Sequence, residues 1–273
     1  MITVLIRISD DYRVLKCIDS IRKTSLSSQI IVSMTPNKFL EKIIKELGIR
    51  YCIVPKKNVS VTTNRGLELV KTPKVIVTDC DTIFDKNCIN KLDKALDRYD
   101  VVKPKLIFQT KKGFFNKSVA NLRTYFNNGP KMYMPGLSFR LNIKTRIGNH
   151  FFDENVAWSE DSEFSNRIEK VNLITHYVKS AQLFHPPLNI SHDLADSFLI
   201  GAKKYKRQRL GELIQKRIKK YKQIFTLFGL STTIYGIIWY LFFDLGQMSK
   251  GLGPIGIGLQ DMAWAIITKK KNK

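Results

Sequence analysis

Residues 58–88 read NVSVTTNRGLELVKTPKVIVTDCDTIFDKNC, and this stretch limits the fold more than any other part of the chain. A short polar loop leads into an amphipathic helical pattern and then a β-branched run, Val75, Ile76, Val77 and Thr78. The run ends at Asp79-Cys80-Asp81. A continuous apolar strand without polar alternation is one buried on both faces, which places it in a parallel sheet covered by helices. The carboxyl edge of such a sheet is where open α/β folds present their sites. Two aspartates one residue apart can both turn toward a hard cation where the chain leaves its pleat. Their oxygens suit Mg²⁺ or Mn²⁺, ions that also bridge a diphosphate. Taken bare, Asp-x-Asp reads more readily as a solvated turn, because aspartate is common where strands end, and it is the flanking sequence that reverses this.

The surrounding pattern alternates. Strands are expected at 2–8, 29–34, 50–54, 74–79 and near 100–108, separated by helices at 11–24, 37–47, 59–71 and 86–97. Strands alternating with helices of ten or more residues predict a mainly parallel, doubly wound α/β sheet. Region 109–158 is less regular, with a helical pattern in KKGFFNKSVANLRTYFNN and strands around Met132–Phe139. A helix from Glu160 to Lys170 follows, with Ser159 as its cap. At 273 residues the chain accommodates one such domain of about 200 residues and an appendage. The apolar share of 44% excludes general disorder. Cys17, Cys52, Cys80 and Cys88 form no C-x-x-C or zinc-type spacing and read as buried thiols of a reducing compartment. The first apolar run, Ile2 to Ile6, is too short for a signal peptide and lacks a basic leader.

NVSVTTNRGLELV followed by VIVTDCD resembles the nucleotide-sugar half of family 2 glycosyltransferases, which have the GT-A fold. The matching positions are Asn64, Arg65, Gly66, Asp79 and Asp81. ITVLIRISDDYRVLKCIDSI is similar to that family's first strand, turn and helix. A second block, GLSFRLNIKTRIGNHFFDENVAWSEDSEFSNRI, resembles its acceptor side through Gly136, Phe139, Arg140, Ile147, Gly148, Phe152, Asp153, Glu154, Glu160 and Asp161. Together the resemblance spans roughly residues 2 to 168. It implies sugar transfer from a nucleotide-diphosphate donor, with Asp79 and Asp81 holding Mg²⁺ or Mn²⁺. Asp161 is then the general base, with Glu160 beside it, and a single displacement inverts the anomeric centre. Apart from the family pattern, that acidic pair also fits compensation of a helix dipole.

By the same resemblance Asp10, Asp11, Asn64 and Arg65 lie on the donor side, and His185 in LFHPP approaches the metal or diphosphate. The plainer readings are a solvated Arg65 near a helix start and a structural histidine. His192-Asp193 is a weaker pattern of the same kind. Where many relatives carry Asp-Asp-Gly-Ser after the second strand, this chain has Ser33-Met34-Thr35-Pro36, so UDP, GDP and dTDP donors all remain open. The Gln-x-x-Arg-Trp motif of processive synthases is absent, Gln208-Arg209 being only a fragment of it.

The net charge is +23, and residues 201–222 hold ten Lys or Arg against one Glu. Twenty uncharged positions follow at 224–243, long enough as a helix, at about 1.5 Å per residue, to cross a hydrocarbon core. Trp239 and Tyr240 near one end suit an interfacial belt, and the basic block would lie on the cytoplasmic side. Nucleic acid is not expected as a partner, since no recognition motif accompanies the charge. Residues 251–268, with Asp261 the costly member, could lie in the interface or re-enter the bilayer, but the closing KKKNK favours a return through it, so a C-terminal transmembrane hairpin is expected over a single transmembrane helix.

The expected organisation is a catalytic domain over 1–200, with a donor half over about 1–108 and an acceptor half over about 109–200. A basic juxtamembrane helix at 201–223, membrane segments at 224–268 and a basic tail at 269–273 complete it. The expected partners are a nucleotide-diphosphate sugar, a lipid-linked glycan or envelope polysaccharide acceptor, and the cytoplasmic face of the cell membrane. Two alternatives accompany this reading: transfer to a polyprenyl phosphate, and a catalytically silent membrane scaffold of the same fold.

Overall fold

The computed structural model describes residues 1–8, 11–24, 27–55, 58–156, 159–203 and 210–268. The chain forms two compact units, Met1–Ile107 with Asn127–His185, and Phe108–Phe126 with Pro186–Lys273.

The first unit begins as the alternation predicts. Strands β1 (Ile2–Ile8), β2 (Gln29–Met34), β3 (Arg50–Ile53) and β4 (Lys74–Asp79) alternate with helices α1 (Val14–Thr24), α2 (Lys38–Glu46) and α3 (Val59–Glu68). The four strands pair in parallel. Val4, Leu5, Ile6, Val75, Ile76 and Val77 have no exposed surface, which is why their runs show no polar alternation. Asn58 caps α3, its side chain accepting hydrogen bonds from the Ser60 and Val61 amides. Gly66 lets α3 press onto the sheet, since a Cβ there would stand 2.4 Å from Leu5 Cδ1.

The remaining elements are β5 (Ile83–Phe84), α4 (Cys88–Ala95), β6 (Val101–Phe108), α5 (Phe114–Asn127), β7 (Leu137–Arg140), α6 (Glu160–Lys170) and β8 (Thr175–His185). The sheet order is β3-β2-β1-β4-β7-β6-β8-β5. Because β7 runs antiparallel to both β4 and β6, the sheet is mixed beyond β4. A four-residue strand carries no direction in its sequence, so the alternation alone could not show this reversal. Ser159 does not cap α6: it takes φ 63° and its side chain makes no capping bond. Three acids in the first turn, Glu160, Asp161 and Glu163, face the helix's positive end instead.

The second unit is helical, comprising α5, α7 (Ile190–Lys203), α8 (Leu210–Ser249) and α9 (Gly253–Thr268). Among the described residues, 215–267 is the one helical stretch long and apolar enough to cross a membrane. It is not one rod. At Gly229 the backbone leaves the helical region, with φ 78° and ψ −174°. The arms 210–228 and 230–249 then lie antiparallel, Arg217 pairing with Asp244 at 2.7 Å and Lys220 Nζ donating to the Tyr240 hydroxyl at 3.0 Å. The stretch 224–243, expected as a single uninterrupted helix, therefore straddles a turn that only a glycine enters easily.

Trp239 and Tyr240 do not form a belt at a lipid interface. Both are buried among Val119, Leu122 and Ile224. Beside them Arg123 is ion-paired with Asp193 and Asp196, and the Tyr235 hydroxyl donates to Asp193 Oδ2 at 2.6 Å. Asp193, weighed with His192 as a site residue, is thus fully enclosed in a structural ion-pair network.

Candidate active site

The parallel register of β1 and β4 sets Arg7 beside Asp79. From there the Arg7 guanidinium reaches Asp79 Oδ1 through Nε at 3.1 Å and Nη2 at 2.6 Å. Its Nη1 donates to Glu160 Oε1 at 2.7 Å. Arg7 therefore joins the strand-end acid to the acid at the start of α6. The side chain is 10% exposed, and a buried guanidinium held by two carboxylates stays protonated at any ordinary pH. No sequence motif singles out Arg7. The available signal was a lone cation inside an otherwise apolar strand, ITVLIRI.

Asp161 follows Glu160 on the first turn of α6, its Oδ2 accepting from the Met134 amide at 3.1 Å. It keeps partial contact with solvent although protein surrounds it closely. Burial, and then the charge of Glu160, push its carboxyl up to about 7, against the Met134 hydrogen bond and the Arg7 charge. A carboxylate poised there is suited to take a proton near neutral pH. Glu160 itself is 7% exposed, with its Oε1 committed to Arg7.

Asp81 lies close to His185, Oδ1 to Nε2 at 3.8 Å, and to Arg13 Nη2, at 3.2 Å from Oδ2. Arg13, also unmarked in the sequence, is at the same time ion-paired with Asp11. Burial raises the Asp81 carboxyl, with His185 and Arg13 opposing the rise. Asp81 Oδ1 is buried with no hydrogen-bond partner among the described residues. A buried carboxylate oxygen left this way calls for a cation or a donor. No three His, Cys, Asp or Glu side chains among the described residues converge as a finished metal cage. Mg²⁺ needs none when one or two carboxylates and substrate phosphates complete its shell, so Asp81 with Asp79 fits such an ion.

The other donor-side residues are placed differently. Asn64 exchanges hydrogen bonds with the Phe152 backbone, at 2.8 and 3.1 Å, and reaches Glu154 Oε1 at 3.1 Å. It tethers α3 to the loop before α6. Arg65 pairs with Glu68 at 2.6 Å on the outer surface of α3, with half its side chain exposed. The structure brings neither to the acidic cluster. Asp10 lies outside the described residues. Lys103 on β6, a further unmarked cation, is 2% exposed between the Tyr133 and Tyr177 rings, and burial lowers its amine to about 8.

A family model for "Glycosyl transferase family 2" matches residues 12–155, more than half of the chain. The chain belongs to glycosyl transferase family 2. It is a glycosyltransferase, and a family 2 enzyme implies a nucleotide-sugar donor and a glycan acceptor. The crystal structure of S. aureus TarS 1-349 is similar at a TM-score of 0.53 and 12% identity, covering 99% of this chain and 88% of that one. That likeness shows the GT-A-type fold alone. No curated protein sequence matches the chain.

Proposed function

We propose that this family 2 enzyme transfers a sugar, with inversion, from a nucleoside-diphosphate donor to a hydroxyl of a lipid-linked glycan or envelope polysaccharide at the cytoplasmic face of the membrane. The observation that carries the reading is the Arg7 bridge. It links Asp79, on the donor side, with Glu160, and so holds Asp161 in fixed relation to the strand-end acids. Asp161 accepts the proton of the acceptor hydroxyl as its oxygen attacks the anomeric carbon. The bond from that carbon to the diphosphate oxygen breaks on the opposite side, and its electron pair leaves with the diphosphate. Asp79 and Asp81 would hold Mg²⁺ or Mn²⁺, whose charge offsets that of the leaving diphosphate when bound. Arg13, between Asp11 and Asp81, is within this anionic cluster and can turn a donor hydrogen toward a phosphate.

A polyprenyl-phosphate acceptor arrives already ionised and needs no base, so the raised Asp161 favours a hydroxyl acceptor. The test is nucleoside-diphosphate release by the detergent-solubilised chain across a panel of nucleotide sugars, with Mg²⁺ or Mn²⁺. One donor is expected to turn over, with losses of about 10²-fold or more in Asp79→Ala and Asp161→Ala and on chelation. Undiminished transfer by Asp161→Ala would transfer the reading to the phosphate acceptor. No turnover and no metal-dependent nucleotide binding across the panel would leave a silent scaffold.

A further inference from the structure

The helical unit carries an apolar surface that its own packing leaves open. Along arm 230–249, Leu230, Ile234, Ile237, Leu241, Leu245 and Met248 are each between 41% and 67% exposed. At 3.6 residues per turn these positions fall within about 80° of the helix circumference, a single stripe. The opposite face is occupied by protein, through Tyr235, Trp239 and Tyr240. On α9, Ile255 and Ile257 are open in the same way.

The hairpin register decides how such a stripe could meet lipid. Arg217 stands at the level of Asp244, and Lys220 at the level of Tyr240, the middle of the second arm. Were that arm to stand upright across a bilayer, Lys219 and Lys220 would be carried to the hydrocarbon centre and Arg217 to within about 6 Å of it, the depth that charges avoid most strongly. Lying flat, the arm buries its stripe while the lysines remain among headgroups. At 16 residues, about 24 Å, α9 is also shorter than a hydrocarbon core.

We propose that the second unit is an in-plane docking platform for a bilayer surface containing anionic lipid, not a spanning anchor. The occupant follows from charge: Lys216, Lys219 and Lys222 are exposed on the first arm, within a block of ten Lys or Arg against one Glu over residues 201–222. A basic helix paired with an apolar stripe is the combination that binds anionic membranes from one side. The inference rests on the membrane part of the proposed function and refines its geometry.

The experiment is flotation of the full chain with phosphatidylcholine vesicles, with and without phosphatidylglycerol. It is followed by brominated-lipid quenching of a fluorophore attached in Leu230→Cys, Leu241→Cys and Met248→Cys, each in a Cys52→Ser background. Binding is expected to require the anionic lipid, to weaken with salt, and to fall about tenfold or more in Ile237→Glu/Leu241→Glu. Both positions are exposed, so an unchanged melting temperature should accompany the loss. All three labels are expected at one shallow depth, about 5–10 Å below the headgroups. A label at 241 near the bilayer centre with shallow labels at 230 and 248 would overturn the proposal in favour of a span. So would binding indifferent to the stripe substitutions, absence of binding, or a stripe-dependent dimer that ignores vesicles. None of these readouts involves sugar transfer. A chain that docks without turnover contradicts only the proposed reaction, and one that turns over without docking contradicts this surface and the proposed membrane location but leaves the reaction standing.

Discussion

Arg7 makes the fold and the proposed chemistry depend on one side chain. Its guanidinium is the partner of two carboxylates, Asp79 and Glu160, that come from elements 81 positions apart in the chain. Removing Arg7 leaves the buried Glu160 uncompensated, while Asp79 is exposed enough for water to screen it, so the cost falls below the ~3–5 kcal/mol of a fully buried pair. Arg7→Met should therefore lower unfolding free energy by about 1–3 kcal/mol, measured in urea. Arg7→Lys keeps the charge but not the fork that serves both acids. It should recover much of the stability while sugar transfer stays down by about tenfold or more. Equal recovery of stability and transfer would show that charge alone matters and that the bridge geometry does not. Residues of this kind are hard to read from sequence, because their meaning depends on partners that only folding supplies. Asp79, Asp81, Glu160 and Asp161 were visible from the family pattern; Arg7, Arg13 and Lys103 were not.

At the scale of elements, α3 shows how much of a motif is architecture. Asn58 caps the helix and also donates to the Glu154 carbonyl at 2.9 Å, Ser60 reaches the Val156 carbonyl at 2.7 Å, and Asn64 holds Phe152. Three polar side chains of NVSVTTNRG thus fasten α3 to the loop before the acidic pair. Asn58→Ala should cost about 1–2 kcal/mol through the lost cap, and Gly66→Ala about 1–3 kcal/mol by forcing a methyl group against Leu5. Chemical denaturation checks both, and a neutral Gly66→Ala would contradict the close packing of α3 on β1. The strands from β1 to β4 were legible because continuous β-branched runs and capping residues are local signals. A strand at β7 was legible around Met132–Phe139, but its antiparallel placement was not, since that is a property of pairing, and β8 was not expected. The break in α8 was hidden for a related reason: Gly229 stands in an apolar run, and only the antiparallel contact of the two arms shows that the run turns there.

For the whole molecule, length, charge and the two motif blocks led to a glycosyltransferase with a basic, apolar C-terminal region. The structure retains those features and redistributes their meaning. The part of the charged block from Lys216 to Lys222, which read as a flank to a span, lies on one arm of a hairpin, and aromatic residues that read as a lipid belt are internal packing. What gives the enzyme its proposed reaction is the state of one carboxylate. Asp161 acts as base only when ionised, so transfer should rise with pH through a midpoint near 7. Glu160→Gln removes the neighbouring negative charge that helps raise that carboxyl, and so should move the midpoint toward acid. The decisive measurement is the pH dependence of kcat/KM for the native chain, Glu160→Gln and Asp161→Asn with the donor that turns over. A rising limb near pH 7, displaced to lower pH by Glu160→Gln and lost with activity in Asp161→Asn, is the predicted result. A limb that Glu160→Gln leaves in place, or transfer that survives Asp161→Asn, would contradict the account.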